Sequence, residues 1–266
     1  MSANVSANES APTTAGRLQG KVAIVTGASQ GIGRAIAIRY AKEGARVAVV
    51  NAHNVDAARK VVDEITADGG EARHYQRDCS NVDQINDLVE NVISDFGTVN
   101  ILVNNAGVFR TVSVLDTTEE IWDETVDLNL KGAFFLVKAV LPEFQKNGGG
   151  KVVNITSIAG TGAFPNCPAY CASKGGAENL TRALAAELGK EHVNVNSIAP
   201  GNVATPLNAH VRQDADYVQM MENMTPTGIA FMQPEDMTGT AVYLASPDAD
   251  LVHGATVLVD AGWSTW

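Results

Sequence analysis

Cysteine is scarce in this 266-residue chain: Cys79, Cys167 and Cys171 are the whole complement. Three thiols are too few, and odd in number, for a disulfide framework. Cys167 and Cys171 bracket Tyr170 at helical spacing; a redox role is set against burial as small apolar side chains, and burial is the expectation. No histidine or third cysteine clusters beside them, so no metal site is expected. Positive charge is also short: 19 Lys and Arg face 30 Asp and Glu, for a formal net charge of −11. No Lys/Arg cluster interrupts that balance, which disfavours nucleic acid and anionic membranes as partners while leaving room for a local phosphate site. No apolar run has the length of a membrane span. Residues 1–16, MSANVSANESAPTTAG, lack both an apolar segment and a basic residue, so neither a signal peptide nor a transit peptide is expected. A disordered leader over residues 1–17 and a cytoplasmic location are the expectations.

What the chain does have is alternation. Short apolar runs at 21–26, 46–51, 72–77, 99–104, 151–156, 193–198 and 256–261 read as strands. Between them, amphipathic stretches at 32–44, 56–69, 82–97, 118–145 and 175–190 read as helices, several ending in glycine (Gly44, Gly69, Gly97). Near-continuous apolar character in the first, second, fourth and fifth strands suits parallel strands covered on both faces. The pattern predicts one α/β domain over 18–266, a doubly wound parallel sheet of about seven strands with helices on both faces. Right-handed crossovers then place the strand C-termini on one ligand-binding edge. The rhythm breaks near 201–233, an insertion carrying Met220, Met221 and Met224. Both a substrate lid and a structural hairpin or oligomer contact fit it.

Two features carry chemistry. The first strand runs directly into 26-TGASQGIG-33. Gly27 permits a sharp turn, Gly31 and Gly33 permit close backbone approach, and the helix that follows offers its N–H groups to phosphates. Ser29, Gln30 and Ile32 fill the rest of this candidate dinucleotide turn. The second strand ends at Asn51, about twenty residues on, where an Asp or Glu would bind the ribose 2′-hydroxyl of NAD. Asn51 does not repel a 2′-phosphate, and His53, Asn54 and Arg34 are candidates to meet one. NADP(H) is therefore expected ahead of NAD(H), although Gln30 stands where a basic residue would have helped. The second feature is Tyr170 and Lys174, four residues apart on a helical stretch, with Ser157 thirteen residues upstream. One helical turn puts phenol and ammonium on one face, and the cation is expected to pull the phenol below its ordinary pKa.

Taken together, the turn Thr26–Gly33, Asp78, 104-NNAG-107, Asn129 in 127-DLNLKG-132, Ser157, Tyr170-x3-Lys174 and 200-PGNVAT-205 resemble the classical short-chain dehydrogenase/reductase family in order and spacing over residues 18–263. The resemblance implies a Rossmann fold and a catalytic tetrad of Asn129, Ser157, Tyr170 and Lys174. It implies that Asp78 and Cys79 edge the adenine, and that Asn104, Asn105, Ala106 and Gly107 support the adenosine side and the central strand. It implies that Pro200, Gly201, Val203 and Thr205 meet the nicotinamide carboxamide and pyrophosphate, and that Tyr170 and Lys174 also touch the cofactor. Asn129 is expected to anchor a water linking Lys174 to solvent. The implied reaction is hydride transfer between a nicotinamide dinucleotide and a ketone or secondary alcohol, in a homotetramer. The alternatives are a 3-oxoacyl thioester reductase and a non-catalytic nucleotide-binding regulator. Pocket candidates are Phe109, Ala159, Thr161, Phe164, Asn166, Val203 and the three methionines, which offer little positive charge to an anionic substrate. Trp263 and Trp266 could line the pocket, close a neighbour's site or pack at an interface.

Overall fold

The computed structural model describes residues 16–265. Most of the expected leader lies outside them, as does Trp266. Its last two residues do not: the Arg17 N–H donates to Glu43 and its guanidinium pairs with Asp248.

Seven parallel strands form one sheet in the order β3-β2-β1-β4-β5-β6-β7. They are β1 (Val22–Thr26), β2 (Arg46–Asn51), β3 (Ala72–Gln76), β4 (Ile101–Asn104), β5 (Gly150–Ile155), β6 (Val193–Pro200) and β7 (Thr256–Val259). The order reverses direction between β1 and β4, which opens a crevice beyond their C-termini where doubly wound folds bind ligands. The helices are α1 (Gly31–Lys42), α2 (Val55–Ala67), α3 (Val82–Phe96), α4 (Glu119–Val126), α5 (Gly132–Lys146), α6 (Pro168–Leu188), α7 (Ala215–Met224) and α8 (Thr238–Ala245).

Two cores flank the sheet because each central strand buries both faces. On one side Val25, Val47 and Val49 pack with Ile36, Tyr40, Val61 and Val242 of α1, α2 and α8. On the other, Ile24, Val50 and Leu102 pack with Leu88, Leu136, Phe144 and Leu184 of α3, α5 and α6. Side-chain caps start α2 and α3, where Asn54 and Asn81 accept the N–H of Ala57 and Gln84. Gly97 ends α3 in the left-handed conformation at φ 83°.

Two expectations need correction. The stretch 118–145 is not one α-helix: a π-helical segment, Asp127–Lys131, separates α4 from α5 and contains Asn129. Second, α8 has no counterpart among the expected helices. Its sequence, TGTAVYLA, has no charged residue: Ala241, Val242, Leu244 and Ala245 are buried, and the exposed positions are Gly239 and Tyr243. A helix whose exposed face carries no charged residue shows little of the one-faced polarity contrast that reveals helices in sequence.

Candidate functional site

The turn after β1 has the backbone the glycines allow. Gly27 and Gly31 sit at φ 63° and 56°. A side chain at Gly33 would bring its Cβ to 2.4 Å from Asn105 Nδ2 and 2.5 Å from the Gly27 carbonyl oxygen. Gly31 faces Thr205, whose Cγ2 would lie 3.2 Å from an added Cβ. The turn is tied to the end of β4: Asn105 Nδ2 donates to the Thr26 and Gly27 carbonyls at 2.8 and 3.2 Å, and Thr26 Oγ1 accepts the N–H groups of Asn105 and Ala106. Gln30, the N-cap of α1, makes no side-chain cap, so the first N–H groups of the helix are not taken by it. This glycine cradle, closed to a Cβ at Gly27 and Gly33 and backed by a helix N-terminus, fits the pyrophosphate of a dinucleotide.

The adenosine side is built from mixed parts. The Asp78 carboxylate accepts the N–H and hydroxyl of Ser80 at 2.9 and 2.8 Å, closing an Asx turn, while the Asp78 N–H donates to Gln84. Cys79 is buried, and burial followed by the nearby Asp78 charge pushes its thiol up to about 12. Asn51 is 6% exposed; its Oδ1 lies 2.6 Å from His74 Nε2 and its Nδ2 has no partner among the described residues. Of the groups expected to meet a 2′-phosphate, Arg34 pairs with Glu64 and Asn54 caps α2, so both are already engaged. His53 is exposed. Asn104 is turned into the fold, donating to Asn154 Oδ1 at 2.9 Å and to the Ala133 carbonyl. It supports the central strands rather than lining the edge.

At the other end of the crevice the four tetrad positions converge. Ser157 follows β5 and accepts the Ala159 N–H at 3.1 Å as the cap of a short 3₁₀ turn. Tyr170 and Lys174 lie one turn apart in the first half of α6. Lys174 is buried and its ammonium donates to the Ile155 carbonyl at 2.9 Å. Asn129 accepts the Val108 N–H at 2.8 Å and donates to the Val108 carbonyl and Ser173 Oγ. Ser173 in turn donates to the Tyr170 carbonyl at 2.8 Å. Ser173 is thus a link between Asn129 and Tyr170 that sequence reasoning missed; its place beside Lys174 in 170-YCASK-174 was the available signal. Gly107 is needed because a Cβ there would lie 2.9 Å from Asn129 Oδ1.

The electrostatics differ from expectation. Burial pushes Tyr170 up to about 12, the Ser157 hydrogen bond lowers it, and the thiols of Cys167 and Cys171 raise it further. Lys174 Nζ stands 5.7 Å from the Tyr170 ring centroid while donating to the Ile155 carbonyl. Burial also brings Lys174 down to about 8, which leaves it charged at neutral pH. The expected downward pull on the phenol is therefore outweighed by desolvation. As it stands, Tyr170 holds its proton at neutral pH and is arranged to give one.

Phe109 meets Tyr170 edge to face at 4.9 Å; separately, Phe164 lies 5.1 Å from Trp263. Cys167 and Cys171 approach each other at 3.7 Å, and both point at the Phe164 carbonyl. Ala159 is buried while Thr161 and Asn166 are exposed, Asn166 at φ 59° with its carbonyl accepting the Val112 N–H. Val203 and Thr205 follow β6 and Gly201 packs on Asp260; Val203 bridges to Met232. Of the methionines in the insertion, Met221 is buried and its sulfur takes the Asn202 amide, whereas Met220 and Met224 are 44% and 40% exposed.

With this geometry in place, the likeness to known proteins is specific. Residues 27–264 match the family described as enoyl-(acyl carrier protein) reductase. The chain is 38% identical to 2-dehydro-3-deoxy-D-gluconate 5-dehydrogenase of Dickeya dadantii, over 92% of this chain and 96% of that one. It is 37% identical to 3-oxoacyl-(acyl-carrier-protein) reductase of Staphylococcus epidermidis, over 91% and 98%. The crystal structure of a gluconate 5-dehydrogenase from Burkholderia cenocepacia in complex with NADP and tartrate superposes with a TM-score of 0.90 at 30% identity, covering 94% of this chain and 97% of that one. The chain belongs to the short-chain dehydrogenase/reductase family. It is an oxidoreductase of the nicotinamide-dinucleotide type. Among the described residues, no helix is long and apolar enough to cross a membrane.

Proposed function

We propose that this chain interconverts a ketone and a secondary alcohol with NADP(H), NAD(H) being the alternative, and that Tyr170 moves the proton. The observation that carries the reading is the meeting of Ser157, Tyr170, Lys174 and Asn129 at the far end of a crevice whose near end is the glycine cradle. The dinucleotide, when bound, supplies or accepts the hydride. Hydride arrival at a carbonyl carbon gathers negative charge on its oxygen. In this reading Ser157 and Tyr170 donate hydrogen bonds to that oxygen, and Tyr170 then releases its proton to it. In oxidation Tyr170 runs in reverse and takes the alcohol proton. Lys174, held by the Ile155 carbonyl, lies under the phenol and keeps a positive charge near it. Asn129 fixes the loop at Val108 and, through Ser173, the backbone of Tyr170.

Phe109, packed on the Tyr170 ring, makes the approach to it apolar, which supports a small or medium, mostly apolar carbonyl substrate. A second reading, reduction of a 3-oxoacyl thioester, is favoured by the 37% identity to the Staphylococcus epidermidis reductase. We also infer a homotetramer: Val126, Leu130, Phe134, Leu180 and Ala183 line an open apolar groove of about 500 Å³ along α4, the π segment, α5 and α6. A second copy seated there would cover it. Three free cysteines support a cytoplasmic setting.

The test is purified protein with each reduced and oxidised dinucleotide against ketones, secondary alcohols, sugar acids and a 3-oxoacyl thioester, read by nicotinamide absorbance. Turnover on an apolar ketone with NADPH is expected. No substrate-dependent change with either cofactor would end the dehydrogenase reading.

A further inference from the structure

Cofactor choice in this chain turns on an asparagine whose amide orientation is set by its neighbour. We propose that His74 is a positioning residue that holds the Asn51 amide so that its N–H₂ faces the adenosine ribose, and so selects the dinucleotide carrying a 2′-phosphate. The proposal rests on the dinucleotide reading above.

Asn51 is the last residue of β2 and His74 lies on the adjacent β3, where the register pairs it with Val49. Residues 49 and 51 point to the same face of the sheet, which brings the imidazole onto the asparagine. Asn51 Oδ1 sits 2.6 Å from His74 Nε2. An amide oxygen only accepts, so Nε2 carries the proton and the amide is pinned with its oxygen toward β3. Burial, and after it the Arg59 charge on α2, hold His74 below its ordinary pKa, which keeps the ring neutral.

The other end of the amide is left over. Asn51 Nδ2 is buried and unpartnered among the described residues, in a side chain that is 94% buried. It stands beside the glycine turn, since the Ala28 N–H donates to the Val50 carbonyl one residue earlier. Arg34 and Asn54, the other candidates on this edge, are engaged by Glu64 and by the N-terminus of α2. An unmatched donor without negative charge suits a phosphate oxygen. The reversed amide would present an acceptor, which a ribose hydroxyl can still meet by donating and an ionised 2′-phosphate cannot. Removing the His74 donor frees the amide to reverse.

Calorimetric titration of the full chain with NADP⁺ and NAD⁺, without substrate, tests this. Wild type is expected to bind NADP⁺ more tightly. His74→Leu is expected to lower the NADP⁺:NAD⁺ affinity ratio about tenfold, the weight of one good hydrogen bond. His74→Gln, which restores an N–H donor, is expected to stay within about threefold of wild type on the same scale. If the Leu variant does not fold, His74→Met removes the donor with a longer, more adaptable side chain and decides the matter. A merely structural role would weaken both nucleotides together and leave the ratio unchanged, which overturns the proposal. So does wild-type preference for NAD⁺, or a Gln variant that behaves like Leu. Binding of neither nucleotide by folded wild type would instead bring down the dinucleotide reading itself.

Discussion

Lys174 offers a stability measurement that isolates the electrostatics of the site. Burial takes its pKa from the ordinary 10.5 to about 8. A lysine depressed in the folded state destabilises the fold wherever both states are charged, so the full penalty is present below about pH 8. Between there and 10.5 the folded protein loses its proton first, and stability rises with pH. A depression of this size corresponds to about 3 kcal/mol, of which about 2 kcal/mol is relieved between about pH 7 and about pH 9.5. Lys174→Met keeps the volume and removes the charge. Urea unfolding of both proteins at fixed concentration across that window should show wild type gaining about 2 kcal/mol relative to the variant. Tyr170 contributes little over this range, because a phenol raised from 10 to about 12 begins to destabilise the fold only above the unfolded value. Parallel curves for the two proteins, within about 0.5 kcal/mol, would mean that Lys174 titrates as in the unfolded chain and would refute its desolvation.

Other outcomes follow from the same contacts. Gly33→Ala drives a Cβ against Asn105 Nδ2 and the Gly27 carbonyl; cofactor affinity by titration should fall at least about tenfold, with stability down by about 1–3 kcal/mol. Asn129→Ala leaves the Val108 N–H and carbonyl without their partner; urea unfolding should register a loss of about 2–3 kcal/mol, and a change below about 0.5 kcal/mol would contradict the assigned bonds. Phe134→Glu places a charge in the apolar groove; light scattering should report smaller particles than wild type, and an unchanged mass would count against the tetramer.

The strands were legible because each central one buries both faces and so reads as an unbroken apolar run, as in 22-VAIVT-26 and 46-RVAVVN-51. Helices α2 and α3 were legible for the opposite reason: one face is buried and the other wet. The same rule hid α8, whose exposed face is Gly239 and Tyr243 and carries no charge to contrast with its buried one. The π segment around Asn129 was invisible because a one-residue shift in backbone hydrogen bonding leaves the side-chain pattern almost intact. At the site, the glycine turn and the tetrad residues could be picked out, since backbone space and acid–base chemistry restrict the residue types allowed. The sign of the Tyr170 shift could not. Helical spacing places Lys174 beside the phenol, but only the packing reveals that desolvation exceeds the pull of that charge. Likewise the His74–Asn51 contact depends on the β2–β3 register, which no local pattern in either strand encodes.

The central claim is that Tyr170 transfers the proton that accompanies hydride transfer. Tyr170→Phe removes the phenolic oxygen and keeps the ring that Phe109 meets at 4.9 Å. With a ketone that wild type reduces, the variant should retain NADPH affinity within about threefold and lose turnover by about 10²–10⁴-fold. Equal turnover by the two proteins would contradict the account.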